Sequence, residues 1–190
     1  MRKAISLALL AGAFVMGAPV DTSAQLISVG EMAPDFALPG ATRYGTLDEP
    51  VRLSDYRGET VVLAFFFRVR TTGCTVQMTA YRDQYASLFN EGQNVVVMGI
   101  SNDSAEDLGS WLHDADFPFL FASDAGNNGS TYADFGGGLR DNNMVDSRAV
   151  IVVGPDGRIA GVIESFNQND PTAYEELGAI VDRVTPEADD

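Results

Sequence analysis

Residue types that often carry catalysis or cross-linking are nearly missing from this 190-residue chain: it has one cysteine, Cys74, one histidine, His113, and one lysine, Lys3. A single thiol cannot form an internal disulfide. A lone histidine supports no histidine-based metal site, and His113 falls in a helical pattern where a surface position is the ordinary expectation. The glycine run Gly136-Gly137-Gly138 lacks the Lys-Ser/Thr that follows a phosphate-cradling loop, so it reads as a flexible connection. Asp124, Asn127 and Asn128 lack the spacing of a twelve-residue calcium loop and read as a turn. Positive charge is also scarce. With 12 Lys and Arg against 27 Asp and Glu, the formal net charge is −15, which argues against nucleic acid and anionic membrane surfaces as partners.

Long apolar runs are absent apart from Ala4 to Ala18, which follows Arg2 and Lys3 and precedes Thr22-Ser23-Ala24, a small-x-small cleavage pattern. A core helix or membrane anchor is the blander assignment, but the run is short for a membrane span. The pattern predicts a secretory signal over residues 1–24, an exported (periplasmic or secreted) protein, and no membrane insertion after cleavage. With no cysteine there, lipid acylation has no attachment point. Residues 25–185 then suit one domain, with 186–190 as a disordered acidic tail. Every cation left after cleavage is an arginine.

The most informative stretch surrounds the cysteine. Val61 to Phe67 is a continuous apolar run and predicts a buried strand. It breaks into Arg68-Val69-Arg70-Thr71-Thr72-Gly73, a short polar loop. Met78, Tyr81, Tyr85, Leu88 and Phe89 then recur at helical spacing, predicting a helix over Thr75–Asn90 with Gly92 as its stop. Cys74 therefore stands in the first turn, where unpaired N–H groups and the helix dipole favour a thiolate. Lowering a thiol pKa by ~2 units raises the reactive fraction at most about 30-fold at neutral pH. Further acceleration needs groups that orient a substrate and receive charge, and the loop offers Thr71, the Gly73 N–H and Arg70. The plain alternatives are a buried inert cysteine or an intermolecular bridge, with Arg68 and Arg70 as solvated surface charges.

The remaining pattern predicts a strand over Asn94–Ser101, a helix opened by the cap residues Asn102 to Ser104 and running to about Asp114, and a strand over Phe117–Ser123. Tyr132–Phe135 makes a helical turn. Ala149–Val153 and Ile159–Glu164 form a hairpin around Gly154-Pro155-Asp156-Gly157, and Tyr174 to Val184 makes the last helix. The order is that of a mixed α/β fold with a parallel β-α-β unit. Trp111, Phe117, Phe119 and Phe121 are expected in core packing.

Thr71-x-x-Cys74 between a hydrophobic strand and a helix resembles the active-site loop of the peroxiredoxins. Gly73-Cys74-Thr75-Val76-Gln77 is similar to the bacterioferritin-comigratory, or peroxiredoxin Q, branch. Val29-Gly30-x-x-Ala33-Pro34-Asp35-Phe36, Leu53-Ser54-Asp55-Tyr56-Arg57-Gly58 and Val97-Met98-Gly99-Ile100-Ser101 extend the likeness over roughly residues 29–166. The resemblance implies a thioredoxin-like three-layer α/β fold, with a central mixed sheet flanked by helices. It also implies a thiol-dependent peroxidase needing no cofactor or metal. Cys74 would be the attacking thiolate, Thr71 and the Gly73 N–H would orient the peroxide, and Arg148 would hold the thiolate ionised. Two departures stand out. Phe67 occupies the position of the family proline, where it would shield by bulk without stiffening the loop. Thr79 occupies the position of a common resolving cysteine, so recycling would need an external thiol. Monomer or weak dimer is the default expectation. The rivals are a thiol–disulfide oxidoreductase, excluded because Thr71 stands where its first cysteine would be, and a copper chaperone, excluded by the missing cysteine pair. A redoxin-fold binding protein without activity remains open and has Phe67 as its support.

Overall fold

The computed structural model describes residues 25–186; the expected signal at 1–24 and all but Pro186 of the expected acidic tail lie outside these. The entry segment carries four short strands, β1 (Ala37–Leu38), β2 (Gly40–Thr42), β3 (Gly45–Thr46) and β4 (Val51–Arg52). Then come β5 (Thr60–Phe65), α1 (Thr72–Asp83), α2 (Tyr85–Phe89), β6 (Val95–Ser101) and α3 (Ala105–Asp114). The chain ends with β7 (Leu120–Ser123), α4 (Ser130–Asp134), β8 (Val150–Val153), β9 (Ile159–Ile163) and α5 (Pro171–Val184).

Seven strands form one mixed sheet in the order β3-β2-β7-β6-β5-β8-β9, and β1 pairs with β4 separately. β5, β6 and β7 run parallel, as the intervening helices require, whereas β8 runs antiparallel to β5. All six residues of β5 are buried, which is why it reads as an unbroken apolar run rather than an alternating one. Its side chains still alternate. Val62, Ala64 and Phe66 face a core built with α1, α2, α3 and α5, while Val61, Leu63 and Phe65 face a second core closed by the N-terminal segment and α4. The result is a three-layer α/β fold with helices flanking a mixed sheet, whose second outer layer is largely non-helical.

The strand Phe117–Ser123 is shortened to Leu120–Ser123, because Pro118 has no N–H to give a ladder. The helix expected over Thr75–Asn90 begins three residues earlier and is broken at Gln84, which takes φ −110° and ψ 19°. It stops at Asn90, in the left-handed conformation that asparagine tolerates, rather than at Gly92. The Gly92 position still favours glycine, because its φ of 82° lies in the left-handed region, and a Cβ there would also crowd the Tyr85 hydroxyl at 2.6 Å. The four entry strands were not predicted, because two or three residues are too few to show a period. Ser104 caps α3 by accepting the Asp107 N–H, and Asp170 caps α5 by accepting the Thr172 N–H, so α5 begins at Pro171, three residues before the expected start at Tyr174.

Candidate active site

The sheet registers explain why Cys74 and Arg148 meet. β5 and β8 pair antiparallel with Ala64 opposite Val150, so the end of β5 that launches the cysteine loop lies beside the start of β8, where Arg148 stands. The Arg148 carbonyl is itself fixed by the Phe166 N–H at 2.9 Å. Its side chain is buried, and Nη1 lies 3.2 Å from Cys74 Sγ and 3.2 Å from Gln77 Oε1. Gln77 in turn donates through Nε2 to the Tyr81 hydroxyl at 3.0 Å. Cys74, Gln77 and Tyr81 share a helix face at spacings of three and four, so α1 presents the thiol and a buried polar relay together.

Cys74 has no exposed surface. Burial pushes its thiol pKa up, but hydrogen bonds from the Arg68 backbone and the Thr71 hydroxyl, with the hydrogen bond and charge of Arg148, outweigh it and lower the pKa. The Thr71 hydroxyl also lies 3.1 Å from the Arg68 carbonyl. Thr71 occupies the N-cap position of α1 without a side-chain capping bond, which leaves first-turn N–H groups, Gly73 among them, without intrahelical acceptors. Burial also raises the Tyr81 pKa, with the bond from Gln77 opposing, so the phenol stays protonated.

Gly73 has a steric reason to be glycine: a Cβ there would lie 2.9 Å from Arg148 Nη2 and 3.1 Å from Gln168 Nε2. Phe67 is half-buried, and the Arg148 and Arg140 guanidinium carbons sit 4.9 Å and 5.0 Å from its ring centre. Cys74, Arg148, Gly73, Phe67 and Thr71 are therefore brought together. Arg70 is not. Its backbone is left-handed, at φ 57°, and its guanidinium is drawn to Asp114 and Ser110 on α3. Arg68 faces Asp103 at 3.9 Å, and Asp103 also accepts the Val69 N–H at 2.9 Å, tying the loop to the end of β6.

Gln77, Tyr81, Gln168 and Arg140 were missed from the sequence. The signal for Gln77 was present: a glutamine within the Cys74, Met78 and Tyr81 stripe needs a buried polar partner. No comparable signal marked Gln168 or Arg140, which arrive from loops. His113 is exposed on α3, with Nδ1 against the Arg43 carbonyl. Asp124 is buried, and its carboxylate accepts the Thr131 N–H and hydroxyl.

The AhpC/TSA family model matches residues 29–162. The chain belongs to that family. The match includes the cysteine loop, Arg148 and all seven strands of the main sheet except the last residue of β9. Among family relatives, the peroxiredoxin Bcp of Bacillus subtilis is 39% identical over 98 residues, 52% of this chain and 58% of that protein. The chloroplastic peroxiredoxin Q of Sedum lineare is 41% identical over 78 residues, 41% of each. Both alignments cover less than two thirds of the relative. Among solved structures, the peroxidoxin BcpB of Mycobacterium tuberculosis superposes with a TM-score of 0.68 at 27% identity, covering 83% of this chain and 98% of that one. A peroxiredoxin Q of Xylella fastidiosa, at 19% identity and TM-score 0.69, shares the fold.

Proposed function

We propose that the chain is a thiol-dependent peroxidase of one-cysteine type. The observation that carries this reading is Arg148 Nη1 at 3.2 Å from Cys74 Sγ, within a buried, hydrogen-bonded network at a helix N-terminus. The Cys74 thiolate attacks the terminal oxygen of a hydroperoxide; an S–O bond forms and the O–O bond breaks. The leaving oxygen carries the negative charge and takes a proton from water to become water or an alcohol. Arg148 stabilises both the starting thiolate and the charge spreading over the breaking bond, while Thr71 and the Gly73 N–H orient the peroxide. Cys74 is left as a sulfenic acid. A first external thiol condenses with it to a mixed disulfide and releases water; a second regenerates Cys74 and leaves as the disulfide. Hydrogen peroxide and organic hydroperoxides both fit this chemistry, and monomer or weak dimer suits a site built within one chain. The same reading includes export, with cleavage between Ala24 and Gln25.

Peroxide consumption by the mature protein with dithiothreitol as reductant tests the proposal. Wild type should turn over many times and Cys74→Ser not at all; equal rates would leave no catalytic role for the thiol. The full burial of Cys74 and the loss of the family proline at Phe67 favour a second reading, a redoxin-fold binding protein. The same assay separates the two.

A further inference from the structure

The peroxidase chemistry leaves the glycine run Gly136-Gly137-Gly138 without a role. Each of the three makes a close approach: a Cβ at Gly136 would strike the Gln25 carbonyl, one at Gly137 the Tyr132 ring, and one at Gly138 the Asp146 carboxylate. The run is thus a packed platform as well as a connection. It forms one wall of a cavity of about 500 Å³ that Gln25, Tyr132, Asp146 and Glu164 also border. The Tyr132 side chain is buried, with its hydroxyl 2.6 Å from Ser147 Oγ. Burial raises its pKa, and the charges of Asp146 and Glu164 raise it further against the Ser147 bond, so both carboxylates face that hydroxyl. No ion pair among the described residues reaches either carboxylate, and Arg140 donates to the Asp146 carbonyl instead. Two like charges therefore share one cavity in a chain whose net charge is already −15. They also border the anchor of Arg148: Asp146 comes shortly before it in the chain, and Glu164 shortly before Phe166, whose N–H bonds the Arg148 carbonyl.

The chain itself supplies a cation at this place. The Ile27 N–H bonds the Phe135 carbonyl at 2.9 Å and holds the N-terminal segment against the run. Gly136, which touches Gln25, and Gly138, which touches Asp146, are separated by one residue and so by no more than roughly 7 Å. Hydrolysis of the Ala24–Gln25 peptide bond by a signal peptidase consumes one water, leaves a carboxylate on Ala24 and turns the Gln25 N–H into an ammonium. We infer that this new α-ammonium group is bound by the Asp146 and Glu164 carboxylates, so that removal of the signal completes the cavity and ties the mature terminus to the two segments that fix Arg148. The inference rests on the export reading and adds a binding site for the terminus that export creates.

Lys3 is the only lysine, so the Gln25 α-amino group is the one primary amine of the mature chain and alone takes an amine-directed reagent. The test follows acetylation of the mature chain by an N-hydroxysuccinimide ester at neutral pH, read by intact mass. It compares wild type, a cavity variant, Asp146→Asn with Glu164→Gln, and a control, Asp48→Asn with Glu49→Gln, which removes the same charge from an exposed bend between β3 and β4. An ammonium held by carboxylates is a poor nucleophile. The cavity variant should therefore react about fivefold faster than wild type, the scale of an exposed ion pair, and the control at the wild-type rate. Added salt should speed wild type toward the cavity variant, an arm that needs no substitution. Acetylation should also lower the urea midpoint of wild type and leave that of the cavity variant unmoved. Equal rates in wild type and the cavity variant, a control as fast as the cavity variant, a wild-type rate indifferent to salt, or an equal effect of acetylation on both midpoints overturns the inference. If protein from its native compartment retains residues 1–24, the export reading fails by itself, and a chain released at Gln25 from a ubiquitin fusion still decides whether the carboxylates bind the terminus.

Discussion

At Arg148 one guanidinium nitrogen serves two acceptors, the Cys74 sulfur and the Gln77 amide oxygen, so the residue both charges the nucleophile and is held in place for it. Arg148→Ala should therefore slow sulfenic acid formation by about 10²- to 10³-fold, the usual effect of removing a preorganised donor. It should also move the thiolate titration, followed by ultraviolet absorbance, toward alkaline pH. Arg148→Lys keeps the charge but loses the planar fork and should recover only part of the rate. The lowered Cys74 pKa has a signed consequence for stability. Its contribution is fully present above the ordinary thiol value of about 8.5 and is lost as pH falls from there through the lower folded-state pKa. The urea midpoint of wild type should thus gain on that of Cys74→Ser as pH rises through this window; a constant difference would contradict the depressed pKa. Phe67→Ala removes the shield and should speed alkylation of Cys74 by iodoacetamide several-fold, a gate effect that an inert cavity wall would not show.

At the scale of elements, α1 does the positioning. Its face carries Cys74, Gln77 and Tyr81, and replacing Gln77 by leucine strands the Tyr81 hydroxyl in the core and takes one acceptor away from the Arg148 Nη1 donor. Gln77→Leu should lower stability by ~1–3 kcal/mol in urea unfolding and slow peroxide reduction while leaving Cys74 in place. Tyr81→Phe should cost about as much stability with a smaller kinetic effect, because Arg148 still has its acceptor. Much of this level was legible in the sequence: the apolar run of β5, the cysteine in the first turn, the Ser104 cap and the β8–β9 hairpin all carry local signatures. The break at Gln84 was not, because no proline or glycine marks it and the apolar spacing continues across it. Nor were the partners of the loop arginines legible. The spacing of Arg68 and Arg70 gives no hint that Asp103 and Asp114, more than thirty residues away, turn them from the sulfur. Arg148 was found by resemblance, and the antiparallel register of β5 and β8 now supplies the physical reason.

For the whole molecule, the sheet order brings the C-terminal ends of β5 and β6 and the start of β8 to one edge of the fold, and the cysteine loop closes over that edge. The two cores on either side of the sheet are large enough that the site has a rigid floor: Leu63 and Phe65 below and Phe66 above are essentially inaccessible. Leu63→Ala should cost ~2–5 kcal/mol of stability. Export carries its own check, since intact mass of protein recovered from its native compartment should place the first residue at Gln25. The account as a whole stands on Cys74 being a fast, arginine-held nucleophile. The measurement that tests this most directly is the second-order rate constant for sulfenic acid formation at Cys74, trapped and located by mass spectrometry after about one equivalent of hydrogen peroxide or cumene hydroperoxide. The account predicts stoichiometric trapping at a rate far above that of free cysteine and sharply lower in Arg148→Ala. A rate no higher than free cysteine's, unchanged by Arg148→Ala, would contradict it.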